Sequence, residues 1–173
     1  MSELIQNGAV VADTFTLLDG QANLDSLPGG DLVVPLAAYL QNAERFTQLR
    51  GACRIGVLLA ETDDPLALQA HLAQIDLIAV NFPKFTDGRG FSIAHLLRTR
   101  LNWRGPLRAV GPLLRDQLFY LQRAGFDSFM LREGQDLHAA LASLNDFSVS
   151  YQIAAQDRVR AQQQERQHAA ATA

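Results

Sequence analysis

The chain has 173 residues, 48% of them hydrophobic, and a formal net charge of −3. That size and apolar content fit one globular domain with a tail, and the small negative charge gives no electrostatic case for nucleic acid or a membrane surface. One cysteine, Cys53, excludes an internal disulfide and falls short of the four thiolates an iron–sulfur cluster usually takes.

The N-terminus, Met1-Ser2-Glu3-Leu4-Ile5, has neither the basic nor the apolar region of a signal peptide. No apolar run approaches the ~20 residues of a membrane-spanning helix, so a cytoplasmic location is expected. Residues Gly8 to Val11 and Thr14 to Leu18 are β-prone and flank Ala12-Asp13, which predicts a small N-terminal hairpin. Leu27-Pro28-Gly29-Gly30-Asp31 is a turn-rich connector.

Five short apolar runs follow: Leu32 to Val34, Ile55 to Ala60, Leu77 to Asn81, Leu107 to Val110 and Ser128 to Leu131. They are continuous rather than alternating, as in strands covered on both faces. Helical patterns separate them. Leu36 to Leu49 fits a first helix. Asp64 and Pro65 are a natural N-cap and first helical residue ahead of a Leu68, Leu72, Ile75 stripe. Ala94, Leu97 and Leu101 form the next stripe. Pro112 is expected to open a helix bearing Leu114, Leu118 and Leu121, closed by Gly125. Leu137, Leu141 and Leu144 line the last.

Alternating strand and helix predicts a parallel α/β sheet of about five units, either open and flavodoxin-like, which is favoured, or part of a β/α barrel. Residues 1–150 are read as this single domain with its hairpin. Residues 151–173, polar and carrying Gln162-Gln163-Gln164, are a tail or helix.

In a parallel sheet, ligands gather at the carboxyl ends of strands. The longest strand-to-helix connection is Phe82-Pro83-Lys84-Phe85-Thr86-Asp87-Gly88-Arg89-Gly90-Phe91-Ser92, which holds the only lysine of the chain. Lys84, Arg89, two glycines and a helix start together suit a small anion. Thr86, Asp87, Gly88, Gly90 and Ser92 complete that candidate site, and Lys84 and Asp87 are its candidate catalytic groups. The plainer reading is an Asp87-Gly88 turn, a helix capped by Ser92 or Thr86, and an Arg89–Asp87 pair in solvent. Ile93 stands where a dinucleotide motif needs its third glycine, and there is no P-loop.

Arg108, inside the fourth apolar run, needs a partner: Asp116, Asp127 or a ligand at the sheet end. Asp116 and Gln117, early in the next helix, are further candidates for ligand binding. His71, His95, His138 and His168 are isolated, so no metal site is expected. Cys53 is expected to be a buried, inert thiol. No flavin, nicotinamide or haem motif is present, and no cofactor is expected.

The segments Lys84-Phe85-Thr86-Asp87-Gly88-Arg89-Gly90-Phe91-Ser92, Leu107-Arg108-Ala109-Val110-Gly111, Arg115-Asp116-Gln117-Leu118 and Arg123-Ala124-Gly125-Phe126-Asp127-Ser128-Phe129 resemble, in this order, the bacterial domain-of-unknown-function family 934. The resemblance runs from about Leu32 to Leu144. Members are often encoded beside the assimilatory sulfite reductase haemoprotein and named as oxidoreductases of sulfite reduction. The resemblance therefore implies a role near that reductase. The centre of Arg123-Ala124-Gly125 is usually cysteine in such proteins, and alanine here argues against an essential thiol. Without redox motifs of its own, the chain is expected to be an accessory protein for electron delivery, assembly or regulation. The alternatives are an enzyme acting on an anionic metabolite at the Lys84–Ser92 loop, or a plain binding module.

Overall fold

The structure, a computed structural model, describes residues 2–18, 27–84 and 87–144. The tail expected at 151–173 and the candidate Thr86 lie outside the described residues.

The first two strands, β1 (Glu3–Gln6) and β2 (Ala9–Ala12), form an antiparallel hairpin in the register Gln6↔Ala9. Its turn is Asn7-Gly8, with φ of 50° and 77°. A two-residue hairpin turn needs this left-handed backbone, which Asn-Gly supplies. The expected hairpin is therefore displaced: Gly8 lies in the turn, and β3 (Phe15–Leu17) pairs elsewhere, parallel to β4 (Asp31–Pro35).

The other four strands are β5 (Ile55–Leu59), β6 (Leu77–Asn81), β7 (Leu107–Leu113) and β8 (Ser128–Leu131), so each of the five apolar runs forms a strand. The eight strands make one sheet, ordered β2-β1-β8-β7-β6-β5-β4-β3. From β4 to β8 every neighbour is the next strand in the chain, with no reversal of order. The doubly wound arrangement of a flavodoxin-like sheet has such a reversal. β2 and β3 sit at opposite edges of the sheet, yet only Asp13 and Thr14 separate them. The edges must meet there, so the sheet is curled into a half-barrel, mostly parallel, with β1 the antiparallel member.

The curl explains the continuous apolar runs. One set of residues, including Ile55, Val57, Leu59, Ile78, Val80, Leu107, Ala109 and Phe129, joins the core beneath the helices. The alternate set, Val33, Leu77 and Ala79 with Phe15, Leu58 and Val110, lines the concave face. Both faces are covered, one by helices and one by the sheet's own curvature.

Among the described residues there are five α-helices: α1 (Leu36–Gln41), α2 (Ala43–Leu49), α3 (Arg89–Thr99), α4 (Leu118–Ala124) and α5 (Leu137–Ser143). The single helix expected over Leu36 to Leu49 breaks at Asn42, which has φ −132° and whose Nδ2 donates to the Ala38 carbonyl. After β5, the Asp64 side chain accepts from the Leu66 N–H at 2.9 Å as expected, but two short 3-10 turns follow instead of a helix. Those turns still bury Leu68 and Ile75, so burial periodicity could not tell the two geometries apart.

Pro112 does not open a helix. It continues β7 through a register shift between Ala109 and Leu113. Gly111, at φ +125°, is required there, because a Cβ on it would lie 2.2 Å from the Phe82 carbonyl oxygen. α4 starts later, after a 3-10 turn over Arg115–Gln117, and ends as expected at Gly125 with φ +110°.

Candidate functional site

The connection from β6 to α3 lies at the carboxyl edge of the sheet. Lys84 is exposed, and its carbonyl accepts from the Asp87 N–H at 3.1 Å. Asp87 Oδ1 accepts from the Arg89 N–H and from its Nε, both at 3.0 Å, and Oδ2 accepts from Nη2 at 2.5 Å. Asp87 thus bonds the first N–H of α3, whose N-cap Gly88 has no side-chain cap, and Ser92 lies inside α3 rather than capping it. Arg89 holds the Asp87 carboxyl well below the usual aspartate range, at about 2. Arg89 Nη2 also reaches Glu61 at 3.4 Å, in the turn after β5.

The loop's two cations are therefore not equivalent. Arg89 is engaged by two carboxylates, whereas Lys84 has no ion-pair partner among the described residues. Its two glycines differ as well. Gly88 has φ −83° and open space around the position of a Cβ. A Cβ on Gly90 would lie 2.4 Å from Phe82 Cζ, so this glycine brings α3 onto the Phe82 ring. That ring is held edge-on by Phe91 and Phe126, with centroids 5.5 and 5.7 Å away.

Arg108 is held by a carboxylate, but not by Asp116 or Asp127. Its Nη1 donates to both oxygens of Asp13, at 2.9 and 3.1 Å, and its Nε donates to Ser128 Oγ at 3.3 Å. Its guanidinium lies 5.4 Å from the Phe15 ring centroid. Asp13 is at the seam between β2 and β3, and the curl of the sheet carries it to β7. Asp116 is solvated, its side chain 87% exposed and 4.0 Å from Arg115. The Gln117 side chain accepts from the Leu114 N–H at 3.0 Å, which closes the turn ahead of α4. The candidates thus divide into an exposed loop, a buried pair and a capped turn.

Arg98 was missed from the sequence. It is almost fully buried and donates to the carbonyls of Trp103, Gly105 and Gly125 and to Asp127 Oδ2. It therefore ties α3 to the chain ends that enter β7 and β8. The available signal was its place four residues after Ala94, on the apolar stripe of α3. Cys53 is half-buried with its thiol pushed up by burial, and Sγ–H donates weakly to the Leu49 carbonyl at 3.8 Å. These features fit an inert thiol. Among the described residues, no three His, Cys, Asp or Glu side chains converge as a metal site, and no helix is long and apolar enough to cross a membrane.

Fold and loop together define a class: a curled β/α protein with an exposed, charge-bearing loop at the carboxyl edge of its sheet. The model of the family described as "Bacterial protein of unknown function (DUF934)" matches residues 56–161, more than half of the chain, and the protein belongs to that family. The match starts within β5, so β1 to β4 precede it, and it includes the Lys84–Ser92 loop, Arg108 and Arg98. None of the curated proteins compared with the chain matches it.

Proposed function

We propose that the protein is an accessory factor of assimilatory sulfite reduction, and that it acts by docking through the Lys84–Ser92 loop. The sulfur pathway comes from the family resemblance. The docking mode rests on one observation: Arg89 is already neutralised by Asp87 and Glu61 at the surface, so the described part of the loop is a charge-paired turn rather than a cationic cradle. Exposed Lys84 and the open space beside Gly88 suit contact with a partner such as the sulfite reductase haemoprotein. The loop then serves electron delivery, assembly or regulation of the reductase.

The same exposed Lys84 also supports a second reading, a small-anion site. Titration of sulfate, sulfite and phosphate against thermal stability at constant ionic strength separates the two, since only a specific anion site gives stabilisation by one anion.

Deletion of the gene tests the pathway. Growth on sulfide and cysteine but not on sulfate or sulfite is the expected result. Restoration by sulfite would move the protein upstream of the sulfite step and contradict the proposal.

A further inference from the structure

The N-terminal strands close the curled sheet unevenly. β1 is anchored, because Leu4 and Ile5 are wholly buried, whereas β2 carries no buried residue and is held by its pairing with β1. β3 is fixed at one end only. It pairs with β4 over three residues, Thr16 and Leu17 are exposed, and Leu18 just after it is buried in the main core and donates its N–H to the Val33 carbonyl at 2.8 Å.

Polar contacts hold the other end of β3, and they converge on residues 13 to 15. Asp13 carries the buried Arg108 and also accepts from the Phe15 N–H at 3.1 Å. The Thr14 hydroxyl accepts from Arg54 Nη2 at 2.8 Å. The Phe15 ring packs under the guanidinium groups of Arg54 and Arg108, at 4.9 and 5.4 Å. Beyond this segment lies the concave face, where Val33, Leu77 and Ala79 are buried.

We infer that β3 is a strap latched by the Asp13–Arg108 pair, and that its release opens the concave face while the helix-covered face stays closed. A segment held by few backbone bonds and one buried pair opens locally, at a lower free energy than the strands beneath it. The latch joins a strand that precedes the family match to an arginine within it.

Two alanines of equal size report on the two faces. Ala79 lies on the concave face and Ala109 beneath the helices, both buried. Ala79→Cys and Ala109→Cys, each in the full chain with Cys53→Ser, are labelled with a thiol reagent. Adding Asp13→Asn is expected to speed labelling at position 79 tenfold or more and to leave position 109 unchanged. Equal acceleration at both positions, or none at 79, overturns the latch. If Asp13→Asn does not fold, the denaturant dependence of labelling with Asp13 intact decides. A shallower slope at 79 than at 109 marks a local opening, and equal slopes overturn it.

Discussion

Two arginine–aspartate pairs, alike in chemistry, do opposite things in this protein. Arg89 and Asp87 are two residues apart, meet at the surface and shape one turn. Arg108 and Asp13 are separated by 95 residues and meet in the interior, where they join the seam of the sheet to β7. Water screens the first pair, so losing a partner costs little. The second pair has no such relief, and a lone member would be a buried charge. What a pair contributes is set by where the fold puts it, and the docking proposed for the loop draws on the surface pair.

The largest expected effect is at the buried pair. Arg108→Met leaves Asp13 buried without its counter-ion, and urea denaturation should show a loss of about 3–5 kcal/mol. Replacing both members, as Asp13→Leu with Arg108→Met, should recover much of that loss. If Arg108→Met is as stable as the parent, the pair does not hold the seam.

A smaller effect separates the two glycines beside the exposed pair. Gly90→Ala drives a methyl group into the pinned Phe82 ring and should cost about 1–3 kcal/mol. Gly88→Ala meets open space and should stay within about 0.5 kcal/mol of the parent. Equal melting temperatures for the two variants would show that α3 is not seated on Phe82.

Lys84→Ala and Arg89→Ala should each leave the melting temperature close to that of the parent, since both side chains are exposed. A drop of many degrees in either variant would make the loop part of the core.

The smallest effect is a titration. The Asp87 carboxyl is lowered to about 2 by Arg89, so the pair is intact above the ordinary aspartate value of 3.8 and is lost as pH falls through about 2. NMR of the carboxyl carbon should place the midpoint near the lower value, and Arg89→Ala should move it back towards the higher one.

The sequence carried local features well and distant ones poorly. Each apolar run became a strand, because burial on both faces leaves a continuous signature whichever way a sheet curves. Asp64 and Gly125 act where their chemistry pointed, at helix or turn ends. The Arg89–Asp87 pair was legible because its partners are neighbours in the chain. Asp13 was not legible as the partner of Arg108, because only the curl of the sheet brings the seam to β7. The same curl made the hairpin hard to place: β-propensity marks Thr14 to Leu18 as a strand but not its neighbour, while Asn7-Gly8 is the turn signal that fixes the true hairpin. Pro112 looked like a helix start because the bulge at Gly111 answers to Phe82, a residue far away in sequence.

The central claim is that the exposed loop carries the function while the buried pair carries the structure. Its most direct test is growth of the deletion strain carrying Lys84→Ala or Arg89→Ala, with sulfite as sulfur source and with the folded state of each variant verified. The account predicts that neither variant restores growth on sulfite, although both remain folded and the strain grows on sulfide. Full growth on sulfite with both variants would contradict it.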